Sequence, residues 1–98
     1  MFSIIYKSEA LNDIIEALEW YESQQQGLGE NFLDDLDELI SYFESNPNLS
    51  RKKYGNIRQA PLKRFPYVII YRIESDEVII FSVFNCYQDP KKIKKRIR

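Results

Sequence analysis

The sequence predicts an α+β fold of two layers, a helical hairpin packed on a mainly antiparallel sheet. The expected order is β-α-α-β-β-β, with a short C-terminal helix or turn. Three observations predict it. Two stretches with apolar residues at helical spacing flank the break Gln24-Gln25-Gln26-Gly27-Leu28-Gly29. Two β-branched and aromatic runs, about Tyr67 to Glu74 and Val78 to Asn85, enclose the polar turn Ser75-Asp76-Glu77, which is a hairpin signal. Asp89-Pro90 then opens a basic tail. Ninety-eight residues suit a single small domain, 1–98.

The elements follow in order. Phe2 to Tyr6 is a short apolar run expected at or near a sheet edge. Ser8 is placed to cap the first helix, with Glu9 in its first turn. Leu11, Ile14, Ile15, Leu18 and Tyr21 form the expected buried face, and Glu16, Glu19 and Glu22 fall off it. A second helix is expected from near Glu30. Its stripe is Phe32, Leu36, Leu39, Ile40 and Phe43, while Asp34, Asp35, Asp37 and Glu38 face water. Asn46-Pro47 stops it. Residues 46–56 read as a polar loop carrying Arg51, Lys52 and Lys53. Ile57 to Lys63 reads as a strand whose Pro61 favours an edge position. In the hairpin, Val68, Ile70 and Arg72 share one face, and Tyr67, Ile69 and Tyr71 the other. Either face can meet the helices. Asp89 caps and Pro90 begins the final turn.

Composition narrows the function. There is no histidine, so mechanisms built on a histidine base or a histidine-activated nucleophile are excluded. The single cysteine, Cys86, cannot form an internal disulfide and fits a reducing compartment. No segment reads as a membrane span or a signal peptide, so a cytoplasmic protein is expected. Asp34-Asp35 and Asp37-Glu38 read as helix solvation, with no metal or cofactor implied. Charge divides sharply along the chain. Residues 1–50 hold one basic and 11 acidic residues, a net of −10, and residues 51–98 hold 13 basic and four acidic, a net of +9. Such asymmetry points to nucleic acid or an acidic partner, or to two halves that complement each other across the fold.

Glu19-Trp20-Tyr21-Glu22, Gly27-Leu28-Gly29, Phe32-Leu33, Asn46-Pro47, Arg58, Phe65-Pro66-Tyr67, Tyr71-Arg72, Asp89-Pro90 and Arg96 occur in an order and spacing that resembles the RelE/ParE superfamily of bacterial toxins. The resemblance covers nearly the whole chain. It implies a toxin of a type II toxin–antitoxin pair, neutralised by a cognate antitoxin and able to form a hetero-oligomer with it. Many relatives carry a histidine after the last strand and an arginine before Asp-Pro, where this chain has Asn85 and Gln88. The Trp-Tyr helix end, the Phe-Pro-Tyr strand entry and the Asp-Pro exit lean toward the ParE side, whose characterised members poison DNA gyrase and are not enzymes. The alternatives are a RelE-like, metal-independent, ribosome-dependent mRNA endoribonuclease and a non-toxic antitoxin-binding relative. For nuclease chemistry the candidates are Lys63, Arg64 and Tyr87. Target or nucleic-acid binding is expected of Arg58, Lys63, Arg64, Arg72, Lys91, Lys92, Lys94, Lys95 and Arg96, with Arg98 in the same basic tail. Antitoxin contact is expected of Trp20, Leu28, Ile93 and Ile97.

Overall fold

A computed structural model describes residues 1–97. The first strand, β1 (Ser3–Tyr6), leads into α1 (Ser8–Gln24) and α2 (Leu28–Phe43), followed by a 3-10 turn at Pro47–Leu49. Then come β2 (Arg51–Tyr54), β3 (Ile57–Pro61), β4 (Tyr67–Glu74), β5 (Glu77–Asn85) and α3 (Lys91–Arg96). The strands form one five-stranded sheet in the order β1-β5-β4-β3-β2. Only the β1–β5 pair is parallel, with Ile4 opposite Val78 and Tyr6 opposite Ile80. The α+β class and the helical hairpin on a mainly antiparallel sheet are as the sequence predicted. None of the described helices is long and apolar enough to cross a membrane.

One strand was missed. Residues 51–54 are β2, not loop, and pair antiparallel with β3 through the tight turn Gly55-Asn56. Gly55 has φ +57°, which suits the first central position of a two-residue hairpin turn. As a result β3 is an interior strand rather than an edge. Pro61 is tolerated because β2 reaches only to the level of Gln59, leaving Pro61 with β4 alone.

The helical hairpin covers the face carrying Tyr67, Ile69 and Tyr71. These pack with Phe32, Leu36, Phe43, Val78 and Ile80 in the larger core. Tyr21, Phe32, Phe65 and Tyr67 form an aromatic group with ring centroids 4.8–6.1 Å apart. Val68 and Ile70 face the other way. With Ile57, Ile79, Phe81 and Phe84 they form a second cluster, closed by Ile93 of α3. A bulge makes this possible: Ile70 pairs with Ser82 and Tyr71 with Ile80, so Phe81 is the extra residue.

Three local expectations fail. Lys7, not Ser8, sits at the N-cap of α1, and Ser8 is its first helical residue. The inward residues of α1 are Ala10 and Ala17, flanked by half-buried Ile14 and Tyr21, whereas Leu11 and Ile15 are exposed. Alanines let the helix lie close to the sheet, and this rotates the larger side chains outward. Asp35 does not face water; it is 1% exposed, for a reason given below. The helices also approach closely at Gly29, where an added Cβ would lie 2.7 Å from Leu18 Cδ1 and 2.9 Å from its carbonyl oxygen. Glu22 fastens this corner by accepting the N–H groups of Gly27, at 3.0 Å, and Gly29, at 3.1 Å.

Candidate functional site

Five of the cations named from the sequence, Arg58, Lys63, Arg64, Arg72 and Arg96, are engaged within the chain. Arg58 donates through Nη1 to the carbonyl oxygens of Asn48 (2.9 Å) and Ser50 (2.6 Å), pinning the segment after α2 to the sheet. Lys63 and Arg64 lie at the β3–β4 connection and turn toward α2. Their nitrogens stand 3.4 and 3.0 Å from Glu38 oxygens. Beneath them, Asp35 Oδ2 accepts the backbone N–H groups of Arg64 (2.8 Å) and Phe65 (3.0 Å). That explains its burial: the carboxylate satisfies the donors of a tight connection that no strand partner reaches. Arg72 pairs with Glu74 at 3.1 Å and lays its guanidinium over the Phe81 ring, 5.3 Å from its centroid.

Arg96 is also committed. Its Nη1 donates to Asp13 Oδ2 at 2.9 Å, its Nη2 to Asp13 Oδ1, and its Nε lies 3.5 Å from Glu9. The hydrogen bond to Asp13 pushes the Arg96 guanidinium above its ordinary value, with burial opposing. The same Oδ2 of Asp13 accepts Ser82 Oγ (2.9 Å) and Val83 N–H (3.0 Å), on the part of β5 that extends past β1. This latch joins α1, β5 and α3.

The predicted antitoxin contacts separate. Trp20 is 59% exposed, Leu28 is half-buried, and Ile93 is 3% exposed. Ile93 and the half-buried Ile97 belong to the second core cluster, because α3 is too short to stay on the sheet without an apolar anchor. Neither residue presents a free apolar surface. Pro90, not Asp89, sits at the N-cap of α3, and Asp89 one residue earlier accepts Lys91 N–H at 3.0 Å. Arg98 lies outside the described residues.

Three surface cavities stand out among the described residues. A groove of about 250 Å³ runs between α1 and the open end of β5, lined by Asp13, Glu16, Trp20, Asn85 and Arg96 among others. A more apolar groove of about 420 Å³ lies between α2 and the β3–β4 connection, lined by Leu39, Tyr42, Pro61, Leu62 and Lys63, with Asp35 and Glu38. On the opposite sheet face, a cleft of about 170 Å³ lies between β2 and α3. Lys53, Tyr54, Gln59, Cys86, Gln88 and Ile93 are among the residues that line it. Burial raises the Cys86 thiol. Tyr87, between two of the cleft residues, is 86% exposed. Tyr87 does not line the groove of Lys63, and the three candidates for nuclease chemistry share no cavity and are not assembled. Tyr67, by contrast, is a core residue, pushed up to about 12 by burial first and then by the neighbouring Tyr21.

Sequence reasoning missed the β2 cations as members of a surface, together with Asp13 and Asp35. Gly55-Asn56 was the available signal for the first. Nothing local marks the other two, whose partners lie 29 or more residues away.

The chain is similar to a chain of the chromosomal ParDE toxin–antitoxin system from P. aeruginosa, with a TM-score of 0.76 and 17% identity, covering 87% of this chain and 96% of that one. It is similar in fold to the isolated E. coli RelE toxin, with a TM-score of 0.66, 14% identity and full coverage of both chains. No curated protein matches it. The family model described as the ParE toxin of the type II toxin–antitoxin system parDE matches residues 4–90. The chain belongs to that family; it is a type II toxin, and its partner is an antitoxin.

Proposed function

We propose that this toxin acts in the cytoplasm by binding DNA gyrase, without catalysing a reaction, and that its antitoxin silences it by covering the binding surface. The observation that carries this reading is the engagement of Lys63 and Arg64 with α2 acids, at 3.4 and 3.0 Å from Glu38, while the exposed Tyr87 lines neither their groove nor any cavity with them. Cleavage of RNA needs a base for the 2′-hydroxyl, a cation at the phosphorane and an acid for the leaving oxygen, all within reach of one phosphate. That separation favours a toxin that works by docking. The exposed Trp20, beside the groove between α1 and β5, supplies the kind of aromatic anchor that protein interfaces use.

The test is growth arrest on controlled expression of Tyr87→Phe. The docking reading expects arrest close to that of the parent chain, because the ring is kept. A nuclease would lose a proton-transfer contribution of roughly 10²–10⁴ in rate. Loss of arrest in a folded Tyr87→Phe protein contradicts the docking reading.

A further inference from the structure

The groove between α2 and the β3–β4 connection contains a buried carboxylate that is only half satisfied. It is the largest of the three cavities, about 420 Å³, and Leu39, Tyr42, Pro61 and Leu62 form its apolar wall. Asp35 also lines it, although its side chain is only 1% exposed. Oδ2 of that carboxylate accepts the Arg64 and Phe65 N–H groups. Oδ1 is buried and, among the described residues, accepts no hydrogen bond. Arg64 Nη1 stands 4.0 Å from it, too far to donate. The other terminal nitrogen, Nη2, is drawn away to Glu38 Oε2 at 3.0 Å, and Lys63 leans the same way, 3.4 Å from Glu38 Oε1. Both cations thus serve the exposed carboxylate at the rim. The buried one keeps free lone pairs.

A buried carboxylate oxygen without a donor is costly, more so than a neutral acceptor. A ligand that relieves that cost brings N–H donors and gains further from a positive charge, since charge-assisted hydrogen bonds strengthen away from water. It also needs an apolar body to match the wall. An anion would be repelled by Asp35 and Glu38. A purely apolar molecule would fill the groove and leave Oδ1 as it is. We propose that this groove binds a small organic cation, an amidinium, guanidinium or primary ammonium group on a short apolar or aromatic body. Its N–H groups meet Asp35 Oδ1, and its body lies against Leu39, Pro61 and the exposed Tyr42 ring. The volume suits a ligand of that size. Arg64 remains with Glu38. The site shares no lining residue with the groove of Trp20, and its test does not involve gyrase.

The experiment titrates benzamidine, neutral benzamide and anionic benzoate into the isotope-labelled full chain and follows the backbone amides by NMR. The Arg64 and Phe65 amides report directly, because their hydrogen bonds end on the same carboxylate. Benzamidine should shift both, together with Leu39 and Leu62, and leave Trp20 and Ser82 in place. A Kd of about 1 mM or tighter is expected. Benzamide should bind roughly tenfold more weakly or worse, and benzoate should not bind. Asp35→Asn, with folding checked by circular dichroism, should bring benzamidine down to the level of benzamide. Tyr42→Ala, at an exposed position of the wall, should weaken benzamidine without disturbing the fold. The proposal is overturned by no shift at tenfold the expected Kd, by shifts centred on Trp20 and Ser82, by equal affinity for benzamidine and benzamide, or by benzamidine binding that survives unchanged in either variant. An arginine-rich peptide that shifts Arg64 and Phe65 where benzamidine does not would also overturn it, and would assign the groove to a protein partner.

Discussion

Arg96 grips Asp13 with both ends of its guanidinium, across 83 residues of sequence, and Asp13 simultaneously accepts the Val83 N–H. A single carboxylate thus replaces a strand partner for β5 and fastens the C-terminal helix. Asp13→Ala should leave an edge N–H unpaired and the guanidinium with only the more distant Glu9, at 3.5 Å, at a cost of roughly 2–3 kcal/mol. Urea denaturation measures this. An unchanged midpoint would mean that α3 is not fastened through Asp13. Arg96→Lys should cost part of the same energy, because an ammonium cannot reproduce the two-pronged contact.

Asp35 makes the same kind of contact on the helix side. Asp35→Ala strands the N–H groups of Arg64 and Phe65 and should also cost roughly 2–3 kcal/mol. Asp35→Asn keeps one acceptor oxygen and should cost less. Hydrogen exchange at Arg64 and Phe65 should accelerate in the alanine variant before exchange in β4 and β5 does. Uniform acceleration throughout the sheet would argue against a local role.

Gly29→Ala tests the helix–helix contact. Alanine normally favours a helix over glycine by about 1 kcal/mol. Here the new methyl meets Leu18 side-chain and backbone atoms at 2.7 and 2.9 Å, so the helices must separate. Net destabilisation of about 1–3 kcal/mol is expected. A stabilised variant would show that the helices are farther apart than these distances.

The buried tyrosines set an alkaline limit. Tyr67 rises from its ordinary 10.0 to about 12, chiefly through burial, and burial also raises Tyr6 and Tyr71. The folded state therefore holds these protons more tightly than the unfolded chain does. That stabilisation is complete below pH 10 and is lost as pH climbs through about 12, with Tyr67 contributing roughly 2 kcal/mol. Urea midpoints should fall steeply over that window, and less steeply in Tyr67→Phe. Identical profiles would show that Tyr67 does not set this limit.

The large elements were legible in the sequence because burial wrote them in simple periods. The hairpin of β4 and β5 and the stripe of α2 through Phe32, Leu36 and Phe43 pack along one continuous face. The phase of α1 was misread because its closest approach is made by Ala10 and Ala17, which carry little hydrophobic signal, while Leu11 and Ile15 remain outside. β2 was hidden because an edge strand exposed on both faces needs no apolar alternation, and Arg51-Lys52-Lys53 shows none. The packing of Ile93 was hidden for the opposite reason: an isoleucine in a lysine run reads as a surface contact, and in the fold it packs against the second face of the sheet. The roles of Asp13, Asp35 and Arg58 depend on backbone groups brought close only by folding.

Growth arrest by docking on gyrase is the function proposed for this toxin. The most direct measurement is gyrase supercoiling of relaxed plasmid in the presence of the purified chain, run beside ribosomes programmed with mRNA. Docking predicts inhibited supercoiling that antitoxin relieves, and intact message. Cleaved message at the ribosome, abolished in Tyr87→Phe, with supercoiling untouched by the parent chain, would contradict it.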